Sequence, residues 1–398
     1  MKPKPDDICP HPPELRETPT QPISAPLALS SVYRCADPAQ ADALLGGEAA
    51  GYVYRRDGHP NADLLAEQVR RLHGAERAAV CGSGMAALSA VLLSELKPGD
   101  HVVAAVQLYG RSRVLLEQEC TRFGMAVTSI DIMDLQAVTA ALRPETKLVV
   151  TETITNPRLR VPDLARLAEI AHSSGAQLLV DNTFASPAIC RPLELGADWV
   201  VESLTKIMNG HSDVVLGAVA GREANWERLP GVIATWGFGA APFDCWLAAR
   251  GLGTLALRFE RASANAARVA EFLAGQGGVR ETIYPGLADH PDHDIARRQF
   301  GDAFGSMVAF SLAGGLPAVE AFMRAAADIP FAPSLGELST TVSHPASTSH
   351  RGLPPAGRAE LGIDDGLLRL SVGIESLEWV QAALAAGLAG VKGLAVVG

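Results

Sequence analysis

The sequence predicts an α/β protein: a mostly parallel sheet covered by helices, followed by a smaller C-terminal α+β domain. Three observations carry this expectation. From about residue 60 short apolar runs alternate with amphipathic stretches. Several of those runs are apolar throughout, as strands buried on both faces must be. And 398 residues with 48% apolar composition are enough for two domains and a large core.

Residues 1 to about 26 are rich in Pro, Glu and Thr and read as a flexible arm. Residues 27–33 read as extended, and a small-residue-rich segment without a helix of its own runs on to Gly58. Such a portion suits packing on a neighbouring subunit. Pro60-Asn61 starts a helix with Leu64, Leu65, Val69 and Leu72 on one stripe and Gly74 as its stop. Strand 77–81, the turn Gly82-Ser83-Gly84 and a helix over 85–96 follow, ended by Lys97-Pro-Gly-Asp100. Next come strand 101–106, a helix over roughly 111–123, strand 125–130, a helix near 135–142 and strand 147–151. Helix 162–173 and strand 177–181 complete the alternation. A last short strand, Trp199-Val-Val-Glu-Ser203, leads to Lys206, with a turn at Asn209-Gly210. Beyond about residue 250 the chain is more helical, with strand candidates at 304–312 and 367–372. The expected division is an arm over 1–60, a ligand-binding α/β domain over 61–250 and an α+β domain over 251–398.

A net charge of −10 without blocks of like charge argues against nucleic acid and anionic membranes as partners. No apolar run is long enough to span a bilayer, and the N-terminus Met-Lys-Pro-Lys-Pro-Asp-Asp lacks the apolar core of a secretion signal. Six cysteines, Cys9, Cys35, Cys81, Cys120, Cys190 and Cys245, include no CxxC pair, which fits reduced thiols in a cytoplasm.

In such a sheet ligands collect at the carboxyl ends of the strands, and chemistry-bearing residues fall there. Gly82-Ser83-Gly84-Met85 joins a strand to a helix, where backbone N–H groups at the positive helix end suit a phosphate. The same residues fit GxGxxA, but a dinucleotide site needs an acid about 20 positions on, and the next strand ends in Ala105-Val-Gln-Leu108. Tyr109 follows that strand and offers a flat ring and a phenol, or simply a half-buried turn residue. Asn156-Pro157 is a candidate donor in a loop after Thr151-Glu-Thr153. Asp181 closes an apolar strand, a costly place for a carboxylate without a cation, although a helix cap would also explain it. Lys206, just after Ser203 and Thr205, reads by itself as a surface lysine after a strand; with the other motifs it suits covalent capture of a phosphorylated aldehyde, pyridoxal phosphate, with the hydroxyls on its phosphate and Asp181 on its ring nitrogen. Asp289-His-Pro-Asp-His-Asp294 has no helix-face ligand spacing. His290, His293, His344 and His350 therefore read as structural or surface residues, and no metal is expected.

Taken in order, these motifs resemble the trans-sulfuration (Cys/Met metabolism) family of pyridoxal-phosphate enzymes, the cystathionine γ-synthase, cystathionine lyase and methionine γ-lyase group. The likeness runs from about residue 27 to the end. It adds Tyr54-Arg-Arg56 with Pro60, Asn209-Gly-His-Ser-Asp213, Tyr284-Pro-Gly-Leu287, Ser334-Leu-Gly336, Ser343-His-Pro-Ala-Ser347 and Leu368-Arg-Leu-Ser-Val-Gly373. The resemblance implies a fold-type-I architecture, pyridoxal 5'-phosphate on an internal aldimine at Lys206, and a homotetramer of tight dimers with shared active sites. It implies that Tyr54 and Arg56 reach the phosphate of the neighbouring subunit's cofactor. Ser83, Gly84, Met85, Ser203 and Thr205 would hold the phosphate of their own chain's cofactor. Tyr109 would stack on the ring and act as an acid, and Asp181 would pair with the ring nitrogen. Arg369 would take the substrate α-carboxylate, assisted by Ser334 and Asn156.

Departures from the family pattern occur at Arg55, His59 and Asn61, and at Arg111, where methionine γ-lyases carry cysteine. Pro333 before Ser334 and the aromatic run 233–239 also depart; Arg111 and Arg113 are expected near the substrate mouth. The expected activity is γ- (or β-) elimination on a sulfur amino acid such as cystathionine. Alternatives are γ-replacement on an O-acylhomoserine with a thiol, elimination of a non-sulfur Cγ group, and a non-catalytic scaffold that binds the cofactor.

Overall fold

The computed structural model describes residues 20–394; most of the expected flexible arm, with Cys9, lies outside them. Strands β1 (Arg77–Cys81), β2 (His101–Ala105), β3 (Ala126–Ile130), β4 (Thr146–Glu152), β5 (Gln177–Asp181), β6 (Trp199–Glu202) and β7 (Gly217–Gly221) form one sheet. Its order is β1-β7-β6-β5-β4-β2-β3. The run from β6 to β3 is parallel throughout. β7 is antiparallel to both β1 and β6. A second sheet, wholly antiparallel, contains β8 (Val279–Ile283), β9 (Met307–Leu312), β10 (Thr341–Ser343) and β11 (Leu367–Ser371) in the order β10-β11-β9-β8. No helix among the described residues is long and apolar enough to cross a membrane.

Most predicted elements stand within a few residues of their expected bounds, and the differences have local causes. The segment before Gly58 does carry a helix, Pro38–Leu45, correcting the expectation of none. Asp37 caps it by accepting the Gln40 N–H, and Pro38 fills the first turn, a start signal visible in Asp37-Pro38. The helix Pro60–His73 begins on the ring of His59, whose Nδ1 accepts the Ala62 N–H. Leu65 and Val69 are buried as expected, but Leu64 faces outward. The stretch after Tyr109 is α-helical over Gly110–Val114 and passes into a π-helical turn over Leu115–Cys120. β7 was not predicted because Gly-Ala-Val-Ala-Gly lacks the bulky β-formers that mark a strand, although every residue in it is buried.

Two apolar cores follow from the two sheets. Leu65, Leu88, Val91, Leu148 and Val180 belong to the first, and Val269, Phe310, Phe322 and Leu384 to the second. The helix Leu255–Ala274 serves both: Leu255 and Phe259 enter the first core, Ala266 to Leu273 the second. From the same helix, buried Arg258 donates to the carbonyls of Ile207 and Met208 at 3.0 and 2.9 Å. The loop that follows β6 is thereby anchored from behind.

Candidate active site

The carboxyl ends of β1, β4, β5 and β6 open on a cavity of about 270 Å³, closed from the other side by the loop 333–335 and by Arg369 of β11. At one end Ser83 caps the helix Gly84–Glu95 with its Oγ, which accepts the Ala86 N–H at 3.0 Å. The N–H groups of Gly84 and Met85 therefore stand without helical acceptors at a positive helix end, a setting for an anion. Ser203 faces them: a Cβ on Gly84 would stand 2.9 Å from the Ser203 Cβ and 3.2 Å from its Cα. Only glycine lets the two walls approach so closely. Thr205 is fixed rather than free, its Oγ1 donating to the Leu216 carbonyl at 3.1 Å and accepting the Leu216 N–H at 3.0 Å. Gly84→Ala is expected to push these walls apart, at a cost of about 1–3 kcal/mol for an overpacked contact. Equilibrium dialysis should show cofactor affinity falling about tenfold or more, and unchanged affinity would contradict the assignment of the anion end.

Next to Ser203, whose N–H donates to Thr183 Oγ1 at 2.9 Å, Asp181 accepts from Thr183 on a single oxygen, Oδ1, at 3.0 Å from the N–H and 2.5 Å from Oγ1. Burial raises its pKa above the ordinary carboxylate range, the two bonds from Thr183 opposing. A cation placed before the other oxygen would pull it back down. Lys206 lines the same cavity, and its Nζ donates to Ser334 Oγ at 2.8 Å. Burial lowers its pKa from the ordinary amine range, with Glu337 opposing and the charge of Arg369 adding to the fall. Tyr109 forms a half-exposed wall, held by its N–H to Glu152 Oε1 at 2.6 Å.

Arg369 is a buried guanidinium. Its Nη1 donates to Asn156 Oδ1 at 2.7 Å and its Nη2 to the Ser334 carbonyl at 3.2 Å, while Nε has no partner. Its Cζ stands 5.5 Å from the ring centroid of Phe184. Burial pushes its pKa down to about 10. An unneutralised fork of this kind is suited to a carboxylate. Because the Asn156 oxygen faces Arg369, its Nδ2 remains as a donor.

Of the residues singled out from sequence, Ser83, Gly84, Met85, Tyr109, Asn156, Asp181, Ser203, Thr205, Lys206, Ser334 and Arg369 all line this one cavity. Tyr54 and Arg56 do not: they lie outside it, exposed, with the Arg56 guanidinium over the Tyr54 ring at 5.3 Å. Glu152, Thr183 and Ser349 also line it and were not singled out. The signal for Glu152 was present, since it is an acid closing an apolar strand, the same pattern that marks Asp181. Arg111 and Arg113 line an adjoining outer chamber of about 520 Å³, which shares Tyr109, Pro333, Ser349 and Arg369 with the inner cavity. Of the aromatic run 233–239, Trp236 and Phe238 stack on each other, centroids 6.3 Å apart, and line neither space. His290 is buried and accepts the Asp292 N–H, a structural contact.

An anion cradle, a carboxylate, a half-buried amine and a flat phenol ring lining one cavity form the donor set that a phosphorylated pyridine aldehyde requires. Residues 10–389 match the family model described as Cys/Met metabolism PLP-dependent enzyme. The chain is 40% identical to O-succinylhomoserine sulfhydrylase of Pseudomonas aeruginosa, over 94% of this chain and 93% of that one. It is also 40% identical to L-methionine gamma-lyase of Porphyromonas gingivalis, over 92% of each. The crystal structure of cystathionine gamma synthase from Xanthomonas oryzae pv. oryzae, in complex with aminoacrylate and cysteine, superposes with a TM-score of 0.89. That match is at 39% identity and covers 93% of this chain and 94% of that one. The chain belongs to the Cys/Met metabolism family of pyridoxal-phosphate-dependent enzymes.

Proposed function

We propose that this enzyme cleaves or exchanges the γ-substituent of an amino acid whose substituent carries a distal carboxylate, with γ- (or β-) elimination on cystathionine as the principal reaction. The observation that carries this reading is the outer chamber. Arg113 is paired there with Glu117 at 3.0 Å, but Arg111 and Arg351 have no side-chain partner among the described residues. His350, beside them, is held neutral: burial first, then the charges of Arg369 and Arg113, push its pKa down to about 4. Two unpaired guanidinium groups just outside the α-carboxylate site favour a second anionic group on the substrate. Methionine, with a methyl at that end, has none.

Pyridoxal phosphate, when bound, supplies an electron sink for charge developing next to the substrate amine. The chain supplies the rest. Ser83, Gly84, Met85 and Ser203 would hold the phosphate, joined by Thr205 if its O–H turns from the Leu216 carbonyl, Asp181 would keep the ring nitrogen protonated, and Tyr109 would cover the ring. Arg369 binds the α-carboxylate, with Ser334 and Asn156 holding the guanidinium. Lys206, as a neutral amine, moves protons at Cα and Cβ, and the Tyr109 phenol protonates the departing group.

A second reading, γ-replacement on O-succinylhomoserine by a thiol, uses the same arginines, and the outer chamber of about 520 Å³ adjoining the inner cavity leaves room for a second reactant. Ketoacid release and thioether formation, measured on cystathionine, methionine and O-acylhomoserines with and without cysteine, separate the two. Arg111→Ala and Arg351→Ala are each expected to lower kcat/KM for the dianionic substrates roughly five- to thirtyfold relative to methionine. That corresponds to about 1–2 kcal/mol for a partly exposed charge-assisted bond. An equal effect on all substrates would remove the distal-carboxylate reading.

We also infer a homotetramer with shared sites, supported by the exposure of Tyr54 and Arg56 outside their own cavity. A cytoplasmic location is supported by Cys81, Cys120, Cys190 and Cys245, all buried free thiols.

A further inference from the structure

β4 and β5 run parallel, with Glu152 opposite Asp181 in the ladder. Register partners on neighbouring strands face the same way, and both carboxyl groups line the inner cavity. Two buried carboxylates side by side resist double ionisation, and their surroundings sort them. Asp181 accepts an N–H and an O–H from Thr183, both on Oδ1, and would pair with a cationic ring nitrogen when the cofactor is bound. Glu152 accepts the Tyr109 N–H on Oε1, while its Oε2 is buried without a partner.

The charge of Arg369 acts on Glu152, but its Nη1 and Nη2 donate to Asn156 and Ser334 and no bond joins it to Glu152. An ionised Glu152 would draw on the same guanidinium as the substrate α-carboxylate. Burial moves the Glu152 acid well above the ordinary carboxylate range and the neighbouring Asp181 adds to this. The backbone N–H groups of Tyr109 and Asn156 and the charge of Arg369 oppose it.

We propose that Glu152 is a positioning residue working as a neutral carboxylic acid, its carbonyl oxygen fixing the backbone of Tyr109 and its O–H donating to an acceptor atom of the bound ligand. The proton stays on Glu152 throughout, which leaves Asp181 the sole anion on that wall and Arg369 available to substrate. The assignment rests on the cavity holding the cofactor, and it holds for elimination and replacement alike.

The test uses the cofactor-loaded wild type, E152Q and E152M, with loading of the wild type verified first by its visible absorption. Failure to load would count against the cofactor site as a whole, not against Glu152. In the infrared difference spectrum of wild type minus E152Q near neutral pH, the carbonyl stretch of a protonated carboxylic acid is expected. An amide reproduces both bonds of a neutral acid, so E152Q should retain cofactor affinity and kcat/KM within about threefold. E152M, similar in volume but without either bond, should lose roughly 10–100-fold in kcat/KM. Ionised-carboxylate bands in the difference spectrum, or a fall of E152Q to the level of E152M, would overturn the proposal. Should E152M fail to fold, the infrared spectrum decides alone.

Discussion

Replacing Lys206 by alanine is expected to abolish turnover while leaving a folded protein. The amine reaches from the lysine loop to Ser334 in the cavity through a 2.8 Å bond. Its burial disfavours its own charge, so little stability depends on it. Chemistry depends on it twice, as the group that captures the aldehyde and as the base that moves substrate protons. Acid–base catalysis alone contributes about 10²–10⁴-fold, so kcat/KM should fall by roughly 10³-fold or more. Borohydride treatment of loaded wild type should leave a covalent adduct on the peptide carrying Lys206, and none in the variant. A variant retaining most activity, or an adduct on another lysine, would remove the central assignment.

Arg369→Ala should be nearly as severe but should act on binding. Truncating one partner of a buried, hydrogen-bonded charge pair costs about 2–5 kcal/mol, or roughly thirty- to several-thousand-fold. The loss should appear chiefly as a raised KM, because the α-carboxylate is held in ground state and transition state alike. Arg369→Lys should recover only part of it. A lysine keeps the charge, but it cannot hold Asn156 Oδ1 and the Ser334 carbonyl with one edge and present another to substrate. The pattern that would contradict the role is an unchanged KM for amino acids in both variants.

How much of this was legible beforehand depended on whether a residue carried its reason locally. Asp181 and Lys206 did, because a charged residue closing or following a buried strand is costly and therefore conspicuous. Ser83-Gly84-Met85 did, as a turn between strand and helix. Glu152 carried the same mark as Asp181 and was passed over as part of the approach to Asn156. Arg369 and Ser334 carried none. They sit far along the chain on the second sheet and its preceding loop, and family resemblance alone pointed to them. β7 was hidden by its small residues, although pairing on both sides makes it the strand that joins β1 to the rest of the sheet. The outer chamber lies between the helix after Tyr109 and residues 347–353, so no local pattern announces it.

That late partner for β1 has a bearing on biosynthesis. Until residue 221 has left the ribosome, β1 has no neighbouring strand to zip onto, and Arg369 emerges much later still. Long-range pairing of this kind forms slowly and late. The pocket that combines Ser83, Lys206 and Arg369 is therefore completed only late in synthesis. Products truncated before Arg369 are expected to retain less vitamin than the full polypeptide when absorbance is compared at equal protein concentration.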